Sequence, residues 1–66
     1  MGLSPQEIGN KIREKREQKK LTQAEVAKKA GLNTNYYAVI ERGEINSSVE
    51  TLNKIIDALE MKLSLD

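Results

Sequence analysis

Residues 22–43 carry their own punctuation, and it allows little besides two short helices joined at an angle. Thr22-Gln23-Ala24-Glu25 has the form of a capping box, in which hydroxyl and carboxylate each take the other residue's backbone N–H. Gly31 then supplies the left-handed conformation that ends a helix. Asn33 can cap a further helix running to about Arg42, and Gly43 stops it in the same way as Gly31. Val26, Ala27, Ala30, Leu32, Tyr37 and Ile40 supply apolar contact between the two, with Tyr36 and Val39 on adjoining flanks. Ala27 is small enough for the second helix to cross close above it. Asn33, Thr34, Asn35 and part of Tyr36 leave the outer side of that helix polar.

The flanking segments read as two more helices. Ser4-Pro5-Gln6-Glu7 combines a capping box with a proline at the first helical position. Ile8, Ile12 and Arg16 then recur every four residues, and Lys19 and Lys20 suit the negative end of the helix dipole. The last helix starts after Ser47 or Ser48 and carries Val49, Leu52, Ile55, Ile56 and Leu59, a stripe wide enough for burial. After it the period changes to two, with Met61, Leu63 and Leu65 alternating with polar residues. A lone strand needs a partner, and a second copy of the same strand across a two-fold axis is one solution. A frayed tail or the stub of a fifth helix are the alternatives. The expected fold class is therefore all-α: a compact bundle of four short helices containing a helix-turn-helix at 23–42, with a possible short C-terminal strand pairing across a dimer. Residues 1–66 form a single domain in this reading, and about 49–66 form its dimerisation segment.

Composition narrows the chemistry. A chain of 66 residues buries a limited core, and without cysteine it has no disulfide to add stability. Association with a second copy is the remaining source. The absence of both histidine and cysteine removes the commonest general base and the commonest zinc ligands. The acidic residues are dispersed and no glycine-rich phosphate loop is present, so neither an enzyme site, a metal nor a cofactor is expected. No run is apolar enough for a membrane span or a secretory signal, which points to an intracellular protein. Net charge is +1, but residues 1–43 hold nine basic and five acidic side chains against two and five in residues 44–66. The positive part can face phosphate, or the alternating lysines and glutamates can simply solvate helix surfaces.

Strings along the chain resemble the Cro/repressor-type (XRE) helix-turn-helix regulators: K-I-R-E-K-R at 11–16, L-T-Q-A-E-V-A at 21–27, A-G-L at 30–32, I-E-R-G at 40–43 and S-V-E-T-L at 48–52. The resemblance runs from about Ile8 to Leu59. It implies a double-stranded DNA partner and a set of residue roles. Gln23 would contact the DNA backbone and brace the recognition helix, while Asn33, Thr34, Asn35 and Tyr36 would read bases or flanking phosphates. Arg42 and the Gly43–Ser48 loop, with Asn46, would hold phosphate. Arg16 and Glu41 match a structural salt bridge between the first and third helices. From the basic run of the first helix, Arg13 is the candidate for a further phosphate contact.

The chain departs from the family pattern at Tyr37, where a branched aliphatic is usual, at Ser47, where proline is common, and in lacking the usual fifth helix. Its tail, E-M-K-L-S-L-D, is similar to that of helix-turn-helix antitoxins that pair a strand across a dimer. Ile56, Leu59, Met61, Leu63 and Leu65 are accordingly the expected dimer interface. The function implied is a sequence-specific transcriptional regulator, by default a repressor, binding an inverted-repeat operator as a homodimer. Two alternatives stay open: a module that mainly holds a toxin or other protein partner, and the DNA-binding part of a longer regulator.

Overall fold

Four helices account for the computed structural model, which describes residues 2–61: α1 (Pro5–Gln18), α2 (Gln23–Ala30), α3 (Thr34–Glu41) and α4 (Val49–Ala58). Each start is capped by the residue before it. Ser4 and Thr22 form complete capping boxes with Glu7 and Glu25. The Asn33 side chain accepts from the backbone N–H groups of Asn35 and Tyr36. At α4 the cap is Ser48, whose Oγ accepts from Thr51.

All four helix ends close with the same paired bonds, in which two successive N–H groups past the helix reach back to its last free carbonyls. They are Lys20 to Glu17 with Leu21 to Arg16, Gly31 to Lys28 with Leu32 to Ala27, Gly43 to Ile40 with Glu44 to Val39, and Glu60 to Asp57 with Met61 to Ile56. This closure needs a left-handed residue, and φ is positive at Lys20, Gly31, Gly43 and Glu60. The first helix therefore ends at Gln18, short of the lysine pair, because Lys20 has already left helical geometry.

The core gathers Ile12, Val26, Ala27, Ala30, Tyr37, Ile40, Ile55 and Leu59, with Ile8, Leu21, Leu32, Leu52 and Met61 packed against it. Helix α2 lies against α4, and α3 against both α1 and α2. Two positions set how closely the elements meet. A Cβ on Gly9 would sit 2.2 Å from the Glu41 carbonyl oxygen, so α1 and the end of α3 approach backbone to backbone. One on Gly43 would sit 2.6 Å from the Gln6 Cα. Larger residues at either site would force the helices apart.

Two expectations for α4 need correction. Leu59 is fully buried in its own fold, so it cannot form part of a dimer surface as expected. Val49, by contrast, is 75% exposed and not part of a buried stripe. The reason is position: Val49 is the first residue of α4, beyond the reach of the core that Ile55 and Leu59 enter two turns later. Leu63 and Leu65, and with them nearly all of the expected strand, lie outside the described residues. No helix among the described residues is long and apolar enough to cross a membrane.

Candidate nucleic-acid interface

Helix α3 has two unlike sides. Tyr37, Ala38, Ile40 and Glu41 are buried, while Asn33, Thr34, Asn35 and Tyr36 are exposed at its N-terminal end. Asn33 accepts from Asn35 N at 2.8 Å and from Tyr36 N at 3.3 Å, which uses its side-chain oxygen in the cap. Its amide NH2 remains a donor facing outward. Thr34 and Asn35 add a hydroxyl and an amide, the short polar groups that reach base edges in a major groove. Tyr36 is 38% exposed and stands beside them.

Besides its buried apolar residues, an ion pair ties this helix to α1. Glu41 meets Arg16 through both oxygens, Nε to Oε2 at 2.8 Å and Nη2 to Oε1 at 2.8 Å. Arg16 Nη1 also donates to the Leu21 carbonyl at 2.9 Å, and Gln23 Nε2 donates to Glu41 Oε1 at 3.2 Å. One carboxylate thus ties α1, the turn after it, α2 and α3. Its burial opposes ionisation, but the hydrogen bonds from Arg16 and the other neighbours outweigh that and hold the Glu41 carboxyl below its ordinary range. The reciprocal bond from Glu41 pushes Arg16 upward.

Tyr37 sits under this cluster with its ring fully buried. Its hydroxyl finds no partner at hydrogen-bond geometry, although Glu41 and Arg16 lie beside it. Burial, and then the neighbouring carboxylate, push the phenol above its ordinary value. The aromatic ring where an aliphatic residue is usual thus places a polar atom next to the structural ion pair.

Beside α3 opens a polar cleft lined by Asn10, Arg13, Arg16, Gln23 and Arg42 together with Glu41 and Glu44. Of the residues expected to meet DNA, the structure brings Arg13, Gln23 and Arg42 together here. Gln23 is half-buried and already engaged by Glu41, which suits a brace. Arg42 pairs with Glu44, Nε to Oε2 at 2.8 Å and Nη2 to Oε1 at 3.2 Å. Asn46 is exposed in the loop before α4 and does not line this cleft. Asn10 and Glu44 were not anticipated. The spacing of Asn10 and Arg13, three apart on one helix, is a signal that could have found the first. Glu44 follows Arg42 by two, across the turn at Gly43, and nothing in helical periodicity flags such a pair.

A second surface lies on the other side of α1. Leu3, Ile8, Val49, Leu52, Ile56 and Met61 line an apolar cleft of about 290 Å³. Ile56 and Met61, both expected at a dimer interface, are half-buried along it.

Comparison with known proteins places this arrangement. A family model described as helix-turn-helix matches residues 12–65. The immunity repressor protein of Bacillus phage phi105 is 40% identical over 57 residues, which cover 86% of this chain and 40% of that protein. The ImmF control region 10 kDa protein of the same phage is 33% identical, over 96% of this chain and 70% of its own length. Antitoxin HipB of Escherichia coli is 34% identical, over 94% of this chain and 66% of its own length. Among solved structures, the restriction-modification controller protein C.AhdI from Aeromonas hydrophila superposes with a TM-score of 0.84 at 33% identity, covering 88% of each chain. A HipB variant in an O2 20mer complex also gives 0.84, at 32% identity, over all of this chain and 92% of that one. The chain belongs to the XRE-type helix-turn-helix family of DNA-binding transcriptional regulators.

Proposed function

We propose that the protein is a sequence-specific repressor that binds an inverted-repeat operator as a homodimer, in the cytoplasm of a bacterium or a phage-infected cell. One observation carries the reading: Asn33, Thr34, Asn35 and Tyr36 are exposed at the N-terminal end of α3, the helix whose C-cap Arg42 lines a polar cleft together with Arg13. Base-reading groups flanked by phosphate-holding groups are what a recognition helix needs. Asn35 and Thr34 read base edges in this account, and Asn33 adds its free amide. Gln23, Arg13, Arg42 and, from the loop, Asn46 fix the register on the backbone.

Two copies joined through the apolar cleft beside α4 present two such helices. Half-sites about 34–36 Å apart would then admit them to successive major grooves. Occlusion of a promoter is the simplest mechanism. Residues 1–66 act as one domain, with 23–42 reading DNA and about 49–66 joining the copies. No enzymatic step is needed anywhere in this scheme. The likeness to antitoxin HipB favours a second reading, in which the protein also holds a toxin or other partner protein.

Selection from a random duplex pool, followed by titration across salt, tests the reading. An inverted repeat should be enriched. Asn35→Ala should weaken binding to the best site while sparing weak non-specific binding, whereas Arg42→Ala should lower both by similar factors. No enrichment would shift the function to a protein-partner module. An unchanged preferred sequence in the Asn35→Ala protein would overturn the recognition face.

A further inference from the structure

Two carboxylates line the polar cleft with its three arginines, and they are bound very differently. The Glu41 side chain is 3% exposed and locked into Arg16, which leaves that arginine committed to the fold. Glu44 and Arg42 are each 55% exposed, and their bond is an open surface pair. Such pairs break at little cost. Glu44 nonetheless does not meet Arg42 by chance. Gly43 turns the chain through its left-handed conformation, and the Glu44 N–H is tied to the Val39 carbonyl at 3.0 Å. The turn holds the two side chains side by side as soon as α3 forms. Among the described residues, Arg13 is exposed and enters no ion pair. Asn10 and Gln23 add amide donors to the same cleft.

We propose that Asn10, Arg13, Gln23 and Arg42 form the seat for one backbone phosphodiester, and that Glu44 is a built-in competing anion that occupies Arg42 until phosphate displaces it. The inference rests on the DNA-binding reading above. The guanidinium fork that now takes two carboxylate oxygens fits two phosphate oxygens in the same way. Displacement leaves Glu44 on an exposed loop from which it can turn to solvent. The exchange subtracts a sequence-independent contribution from every duplex alike. It therefore lowers affinity for non-operator DNA without altering which bases α3 reads.

The test is a double-mutant cycle on Arg42 and Glu44, with binding of a labelled random-sequence duplex followed by fluorescence anisotropy at low salt. Both sites are exposed, and thermal melts check that each variant folds. Glu44→Gln should bind about three- to tenfold tighter than the parent, the gain shrinking as salt rises. In an Arg42→Ala background the same substitution should gain less than about twofold, because the fork it frees is absent. Equal gains in the two backgrounds would show Glu44 acting as a general negative charge and overturn the exchange. Binding by the parent with no gain in Glu44→Gln would overturn it as well, while leaving the DNA-binding reading intact. No duplex binding by any variant would overturn both.

Discussion

Glu41 joins three helices through one side chain. Its oxygens take the Arg16 fork and the Gln23 amide, so its ionisation couples α1, α2 and α3. A buried carboxylate is costly unless paired, and here the pair is bidentate. The folded state holds its pKa below the ordinary 4.5, so the unfolded chain takes up the proton first as pH falls. Linkage then gives the sign: the contribution is fully present above about pH 4.5–5 and is lost as pH drops through the folded value. Glu7 and Glu25 shift in the same direction through their backbone hydrogen bonds in the capping boxes. The urea midpoint should therefore be level near neutrality and fall on the acid side. Side-chain carboxyl shifts followed by NMR should show Glu41 titrating below 4.5 in the folded protein. Titration at or above that value would mean that burial wins over Arg16 and that the ion pair adds nothing to acid stability.

At the scale of helices, the ends explain the arrangement better than the middles do. Two of the four closing residues are glycines and two are not, since Lys20 and Glu60 adopt φ of 57° and 54°. A side chain in that region costs about 1–2 kcal/mol, against the smaller entropic cost of glycine in the unfolded chain. Lys20→Gly should thus stabilise the protein by about 0.5–1 kcal/mol in urea unfolding, and a loss of stability would mean that the lysine stem packs where it is now exposed. The same distinction shows what was legible beforehand. Helix starts were readable because Ser4, Thr22, Asn33 and Ser48 announce themselves chemically, and the stops at Gly31 and Gly43 did likewise. The first and last helices were read to end near Lys20 and Glu60, but their left-handed closure was not, because neither residue type favours that conformation. Gly9 was silent for a related reason. Its role is to let the Glu41 backbone approach, and a close approach between residues far apart in sequence leaves no periodic trace. The exposed side of α3 at Asn33–Tyr36 could be placed from the spacing of Tyr37 and Ile40, whereas the pairing of Arg42 with Glu44 depends on a turn geometry that helical spacing does not encode.

For the whole molecule, the proposed dimer turns on how α4 divides its side chains. Helix α4 faces two ways. Ile55 and Leu59 point into its own core, while Val49 and Ile56 border the apolar cleft with Leu3 and Met61. A helix that commits two residues inward and leaves others along an open apolar cleft is suited to association, since such a surface is costly to leave in water. This division separates folding from assembly at single residues. Ile56→Lys places a charge on the proposed interface at a half-buried position, so the monomer should keep its helical content while sedimentation shows it dissociated where the parent is a dimer. Leu59→Lys instead buries an unpaired charge in the core and should unfold the chain at any concentration. Loss of the dimer should cost operator binding far more than non-specific binding, because only the joined pair adds the two half-sites within one event. If Ile56→Lys associates as tightly as the parent, the contact lies elsewhere. The spacing of the two recognition helices would then have to be set by a different face of the molecule.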